Sequence, residues 1–154
     1  MASKFFERRS VRTQLKVYLE AHGWVNLTWA EGFSDSTLET IAPPFIVVSI
    51  DDFGREEFQL GRNPEVDKLL NRRIQVDVYM ESEDRTNAIT DDISDFLDIE
   101  AVIIKDNNNN VLGSLISDTA SILTDVLAPD FNDPNNIEWH GVVSSMYEAH
   151  YPNG

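Results

Sequence analysis

The chain has 154 residues, no cysteine, and 12 Lys and Arg against 27 Asp and Glu, for a formal net charge of −15. Its length and its 42% hydrophobic content suit one compact domain over 1–154. The charge disfavours sequence-specific binding of DNA or RNA, which depends on Lys and Arg at phosphates, and the missing thiols exclude disulfides, thiolate metal sites and cysteine nucleophiles.

The residues Met1 to Arg9 hold no apolar stretch long enough for a signal peptide, and nothing approaches the ~20 apolar residues of a membrane span. A protein made and kept in cytosol-like conditions is expected. Ser3 caps a first helix that runs to about His22 and closes at Gly23. Val11, Leu15, Tyr18 and Leu19 fall on one stripe of it and face a core. Lys4, Arg8, Arg9, Arg12 and Lys16 place five of the 12 cations on this helix. They form either a solvated face or a dock for an acidic neighbour.

Trp24 to Trp29 predicts a short strand. The polar stretch from Gly32 ends in Pro43-Pro44, which forbid a continuing helix. Phe45 to Ile50 is β-branched and nearly all apolar, the pattern of a buried strand. Asp51 to Leu70 reads as a long charged excursion, and a loop of that length is usually functional. In Arg72 to Met80, Ile74, Val76, Val78 and Met80 alternate with Arg73, Gln75, Asp77 and Tyr79, which predicts a strand with one wet face. Ser82, Glu83 or Asp84 caps a second helix running to about Ile99. Ile89, Ile93, Phe96 and Leu97 line its inner side, and Asp84, Asp91, Asp95 and Asp98 its outer side.

Val102 to Lys105 and Val111-Leu112 flank Asp106 to Asn110, a hairpin with a turn-forming tip. Ser117 to Leu127 suits a strand or a short helix. Ile137 to Ala149 is expected to close the sheet. The succession is an α+β fold: a mixed or antiparallel sheet of about four to six strands with two main helices packed against it.

Residues that could carry chemistry are sparse. His22, His140 and His150 are scattered, without the spacing of a zinc or di-iron site. There is no Gly-x-Ser-x-Gly elbow and no phosphate loop. Acidic pairs such as Asp91-Asp92 arise readily by chance in so acidic a chain. The tip Asp106 to Asn110 lacks the Gly and distal Glu of a calcium loop. The expectation is a non-enzyme with no cofactor and no metal.

The strand Arg72 to Tyr79 runs directly into the helix Thr86 to Ile99, after an N-terminal helix and the strand Phe45 to Ile50. This order resembles the tail-terminator and tail-completion proteins of tailed bacteriophages, over nearly the whole chain. The resemblance implies a homo-oligomeric ring, usually of six subunits, at the head-tail neck of the virion and assembled in the host cytoplasm. Such a ring caps the tail tube protein, stops its polymerisation and presents a surface to the head-tail connector or stopper. DNA passes through the lumen without specific binding. A head-completion or stopper protein, or a cellular acidic binding module, would share the same small acidic character. Contact residues expected on this reading are Arg55, Glu56, Glu57, Phe58 and Arg62 in the long loop, and Asn107, Asn108, Asn109 and Asn110 at the hairpin tip. Arg8, Arg9 and Arg12 would pair with Asp91, Asp95 or Asp98 of a neighbour.

Overall fold

A computed structural model of the chain describes residues 4–30, 44–52, 67–99, 101–129 and 138–152. Its first element, α1 (Lys4–Ala21), buries Val11, Leu15 and Leu19, which recur every four residues and so stack on one face. Gly23, at φ +93°, ends the helix. Its N–H donates to Glu20 O at 3.1 Å, and the Trp24 N–H reaches back to Leu19 O at 2.9 Å. These two bonds make a Schellman cap, which needs the left-handed backbone that glycine adopts freely. The following strand, β1, is only Thr28–Trp29, shorter than the expected Trp24 to Trp29. Trp24 is unavailable to it, because its N–H closes the helix and its indole Nε1–H donates to Asp92 at 2.7 Å.

Strands β2 (Phe45–Asp52) and β3 (Asp67–Met80) pair antiparallel, from Phe45 against Tyr79 to Asp52 against Arg72. The expected excursion Asp51 to Leu70 is therefore trimmed at both ends. Asp51 and Asp52 extend β2, and Asp67 to Leu70 begin β3, where strand β7 (Trp139–Pro152) pairs with every residue from Asp67 to Met80. Helix α2 (Glu83–Ile99) starts at Ser82, whose hydroxyl accepts the Arg85 N–H at 3.3 Å. It buries Ile89, Ile93, Phe96 and Leu97, the side expected to face the core. Strands β4 (Val102–Lys105) and β5 (Val111–Ser117) form the expected hairpin. The ambiguous stretch after it divides into a 3₁₀ turn (Thr119–Ser121) and strand β6 (Leu123–Leu127).

The fold is α+β, with two helices on a mixed seven-stranded sheet of order β1-β2-β3-β7-β5-β4 among the described residues, β6 joining on β7. Only the β1–β2 pair is parallel. The strand number stands slightly above the four to six expected, the stretch that suited a strand or a short helix having supplied β6. The last strand does not close the sheet: β7 lies at its centre, with β3 along one edge. β6 and β5 follow one another along the other edge. The 3₁₀ turn bridges them, the Asp118 N–H donating to Met146 O at 2.8 Å and the Met146 N–H to Ser121 Oγ at 2.9 Å. No ladder position of β7 is wasted at the join.

Both helices cover one face of the sheet, over a core that includes Ile46, Val48, Ile74, Val76, Val78, Met80 and Val143. They touch through Tyr18 and Phe96, edge to face at 5.3 Å between ring centroids. The opposite face is not uniformly wet as expected. Asp77 is only 2% exposed, because its carboxylate binds His140 Nε2 at 2.6 Å and accepts Gln75 Nε2–H at 2.9 Å. A partner across the sheet and one on its own strand satisfy it, as burial of a polar group requires. Among the described residues, no helix is long and apolar enough to cross a membrane.

Candidate assembly surface

The basic helix α1 lies along the outer edge of β4, and its side chains bond that strand's backbone. Gln14 accepts the Ile103 N–H at 3.3 Å and donates its Nε2–H to Ile103 O at 2.7 Å. Ser10 Oγ accepts the Lys105 N–H at 3.1 Å, and Arg9 Nη2 donates to Lys105 O at 3.4 Å. A free sheet edge is a template for another strand. Here a helix occupies the template with side chains.

The hairpin tip beyond β4 is a turn built by Asp106. Its Oδ1 accepts the N–H of Asn108 at 2.8 Å and of Asn110 at 2.9 Å. These bonds, that to Asn110 foremost, hold the Asp106 carboxyl below the usual aspartate range. Asn109 takes the left-handed conformation at φ 63°, which asparagine tolerates better than most residues. Arg9 Nη1 donates to Asn107 Oδ1, and its guanidinium lies 5.3 Å and 5.1 Å from the ring centroids of Phe5 and Phe6. A groove of about 460 Å³ runs between α1 and the tip, lined by Arg9, Thr13, Gln14, Lys105 and Asn107 among others. Single members of two expected contact sets, Arg9 of Arg8/Arg9/Arg12 and Asn107 of Asn107–Asn110, thus meet on one surface of the same chain. Arg9 serves the hairpin from within the molecule, while Asn107, Asn108, Asn109 and Asn110 are exposed.

Asp91, Asp95 and Asp98 are exposed on the outer side of α2, next to α1 on the same layer. In the first turn of α2, Arg85 lies over the Trp24 ring at 5.5 Å. Arg55, Glu56, Glu57, Phe58 and Arg62 lie outside the described residues.

Two buried polar groupings were not expected. Glu7, on the apolar stripe of α1, is fully buried. Its carboxylate accepts Arg72 Nε–H at 2.8 Å, Tyr147 O–H at 2.9 Å and Tyr151 O–H at 2.5 Å. Burial, and then the negative charge of Glu7, push the Tyr147 phenol far above its ordinary pKa. The cluster ties α1 to β3 and β7 at the centre of the core. The second grouping is a row of rings across three strands on the opposite face. Tyr79 stacks on Phe45 at 4.5 Å and on His140 at 4.4 Å. Burial, then Asp77 and Glu138, raise the Tyr79 phenol to about 12. His140 thus joins a ring row and a hydrogen bond with Asp77, whereas His22 lies just past the end of α1, its Nδ1 2.8 Å from Tyr18 O.

The signals for Glu7 were faint but present. It precedes Val11, Leu15 and Leu19 at four-residue steps, and Arg72 shares the inward parity of Ile74 and Val76. The sequence matches no protein-family model and no curated protein.

Proposed function

We propose that the chain is a virion assembly protein of a tailed bacteriophage. On this reading it is a tail terminator whose copies close into a ring, of six in the usual case, on the end of the tail tube. The observation that carries the reading is the succession of elements. An N-terminal helix, a buried strand, and a long strand leading directly into a helix laid on a mixed sheet follow the order that the resemblance implies. Charge supports the assembly part. A basic helix and an acidic helix lie side by side on one layer, so a contact between unlike faces of two copies is electrostatically complementary. An interface between unlike faces that closes after a fixed rotation gives a ring. Individual exposed ion pairs are each worth only about 0–1 kcal/mol, so such a ring would draw on many contacts together.

The partners are other copies of the chain, the tail tube protein and the head connector. The acidic surface lets DNA pass without adhering. The test is co-assembly: tail-tube subunits of the same phage are polymerised with and without the chain, and tube lengths are measured by electron microscopy. Shorter tubes with altered ends are expected. Unchanged lengths and ends would overturn the reading.

A further inference from the structure

The sheet treats its edges unequally. Along β4, Gln14, Ser10 and Arg9 occupy the outward backbone groups of Ile103 and Lys105. Strand β6 pairs with β7 on one side, and on its other side no described strand or side chain from elsewhere in the chain bonds its backbone. The outward Val126 N–H is met only by the carboxylate of its own neighbour Asp125, at 2.9 Å. Among the described residues, β6 has no Lys, no Pro and no bulge, and its one charge is Asp125.

Its side chains are equally unprotected. Leu123, Asp125 and Leu127 lie opposite Ser144, Val142 and His140 of β7, and by strand alternation they project from the face away from the helices. Leu123 is 69% exposed, Leu127 46%, and Ile116, on β5 in line with them, 57%. The edge therefore presents apolar, acidic, apolar at alternate positions beside outward N–H and C=O groups.

We propose that β6 is a strand-addition site for an extended, basic segment of another protein, bearing Lys or Arg opposite Asp125 and apolar residues two places to either side. Added strands gain affinity from main-chain bonds and specificity from alternate side chains, and opposite charges facing across a pair are favourable where like charges are not. The same rule disfavours a second copy of this chain. Two β6 strands paired about their centre would set Asp125 against Asp125. In the whole sequence, two cations have large apolar residues two places either side, Lys68 with Val66 and Leu70 and Arg72 with Leu70 and Ile74. Both sit in β3, where Lys68 is already paired with β7 and Arg72 with β2 and β7. This inference does not depend on the terminator reading.

The test uses the full chain and two synthetic peptides, Ser-Val-Thr-Lys-Thr-Val-Ser and the same peptide with Glu in place of Lys. Binding is followed by amide chemical shifts in solution. The Lys peptide is expected to bind with its largest shifts at Thr124 and Val126, and at least about tenfold more tightly than the Glu peptide. The exposed substitution Asp125→Lys should invert that preference, and circular dichroism should show its fold unchanged. Three results would overturn the proposal: shifts centred elsewhere, equal affinity for the two peptides (including no binding of either), or no inversion in Asp125→Lys. So would shifts at β6 on simple dilution, which would mean that a second copy takes the edge.

Discussion

Removing the Glu7 carboxylate would leave the Arg72 guanidinium and two phenols in the core around a group that can no longer accept from them. Breaking a buried ion pair from one side costs about 3–5 kcal/mol, so Glu7→Ala should lower unfolding stability by that order in urea denaturation. Tyr147→Phe, which removes one hydrogen bond, should cost about 1–2 kcal/mol. The clue to Glu7 lay in the helical period, which put a carboxylate on an apolar stripe. Its partners did not show, because they come from positions 65, 140 and 144 residues away and no local spacing encodes that meeting. Tyr79 gives a residue-scale prediction in pH. Its folded pKa, near 12, lies above the ordinary value of 10.0. The neutral phenol is therefore favoured by the fold, and its contribution to stability is complete below pH 10 and lost as pH rises through 12. Ultraviolet titration of the wild type against Tyr79→Phe should show the missing phenolate appearing near pH 12. Ionisation near the ordinary value would contradict the described environment.

At the scale of elements, the contact of α2 with β7 depends on a residue that has no side chain. A Cβ on Gly141 would lie 2.5 Å from Thr90 Cγ2 and 2.9 Å from Thr86 Cγ2, both on branched side chains that are stiff in a helix. Gly141→Ala should therefore cost about 1–3 kcal/mol, as overpacking usually does, read as a fall in the denaturation midpoint. The seam of α1 and β4 predicts a different failure. Gln14→Ala with Ser10→Ala should cost about 1 kcal/mol for each hydrogen bond lost and should add concentration-dependent association, seen by light scattering, as the uncovered edge finds other strands. Elements with a strong local signal were legible in the sequence: α1 and its glycine stop, Phe45 to Ile50, Arg72 to Met80, α2 with its inner face, and the Asp106 turn. β1 and β6 were legible only in part, the strand expected over Trp24 to Trp29 keeping two residues and β6 taking five of a stretch that suited a strand or a short helix. The central place of β7 was not legible, since strand order depends on long-range pairing, which periodicity within a strand does not carry.

For the whole molecule, charge and edges together are the features that the proposed assembly role would use. One edge is closed by its own helix, one is open among the described residues, and the helix layer divides into a basic and an acidic half. The acidity noted at the outset thus has a location on α2, although the long-loop residues Arg55 to Arg62 have none among the described residues. The central claim is that the chain caps one end of a tail tube. Electron microscopy of tubes assembled with a gold-labelled chain tests it most directly. The account predicts a single cluster of label at one end of each tube. Label scattered along the tube wall, at both ends, or absent from tubes altogether would contradict it.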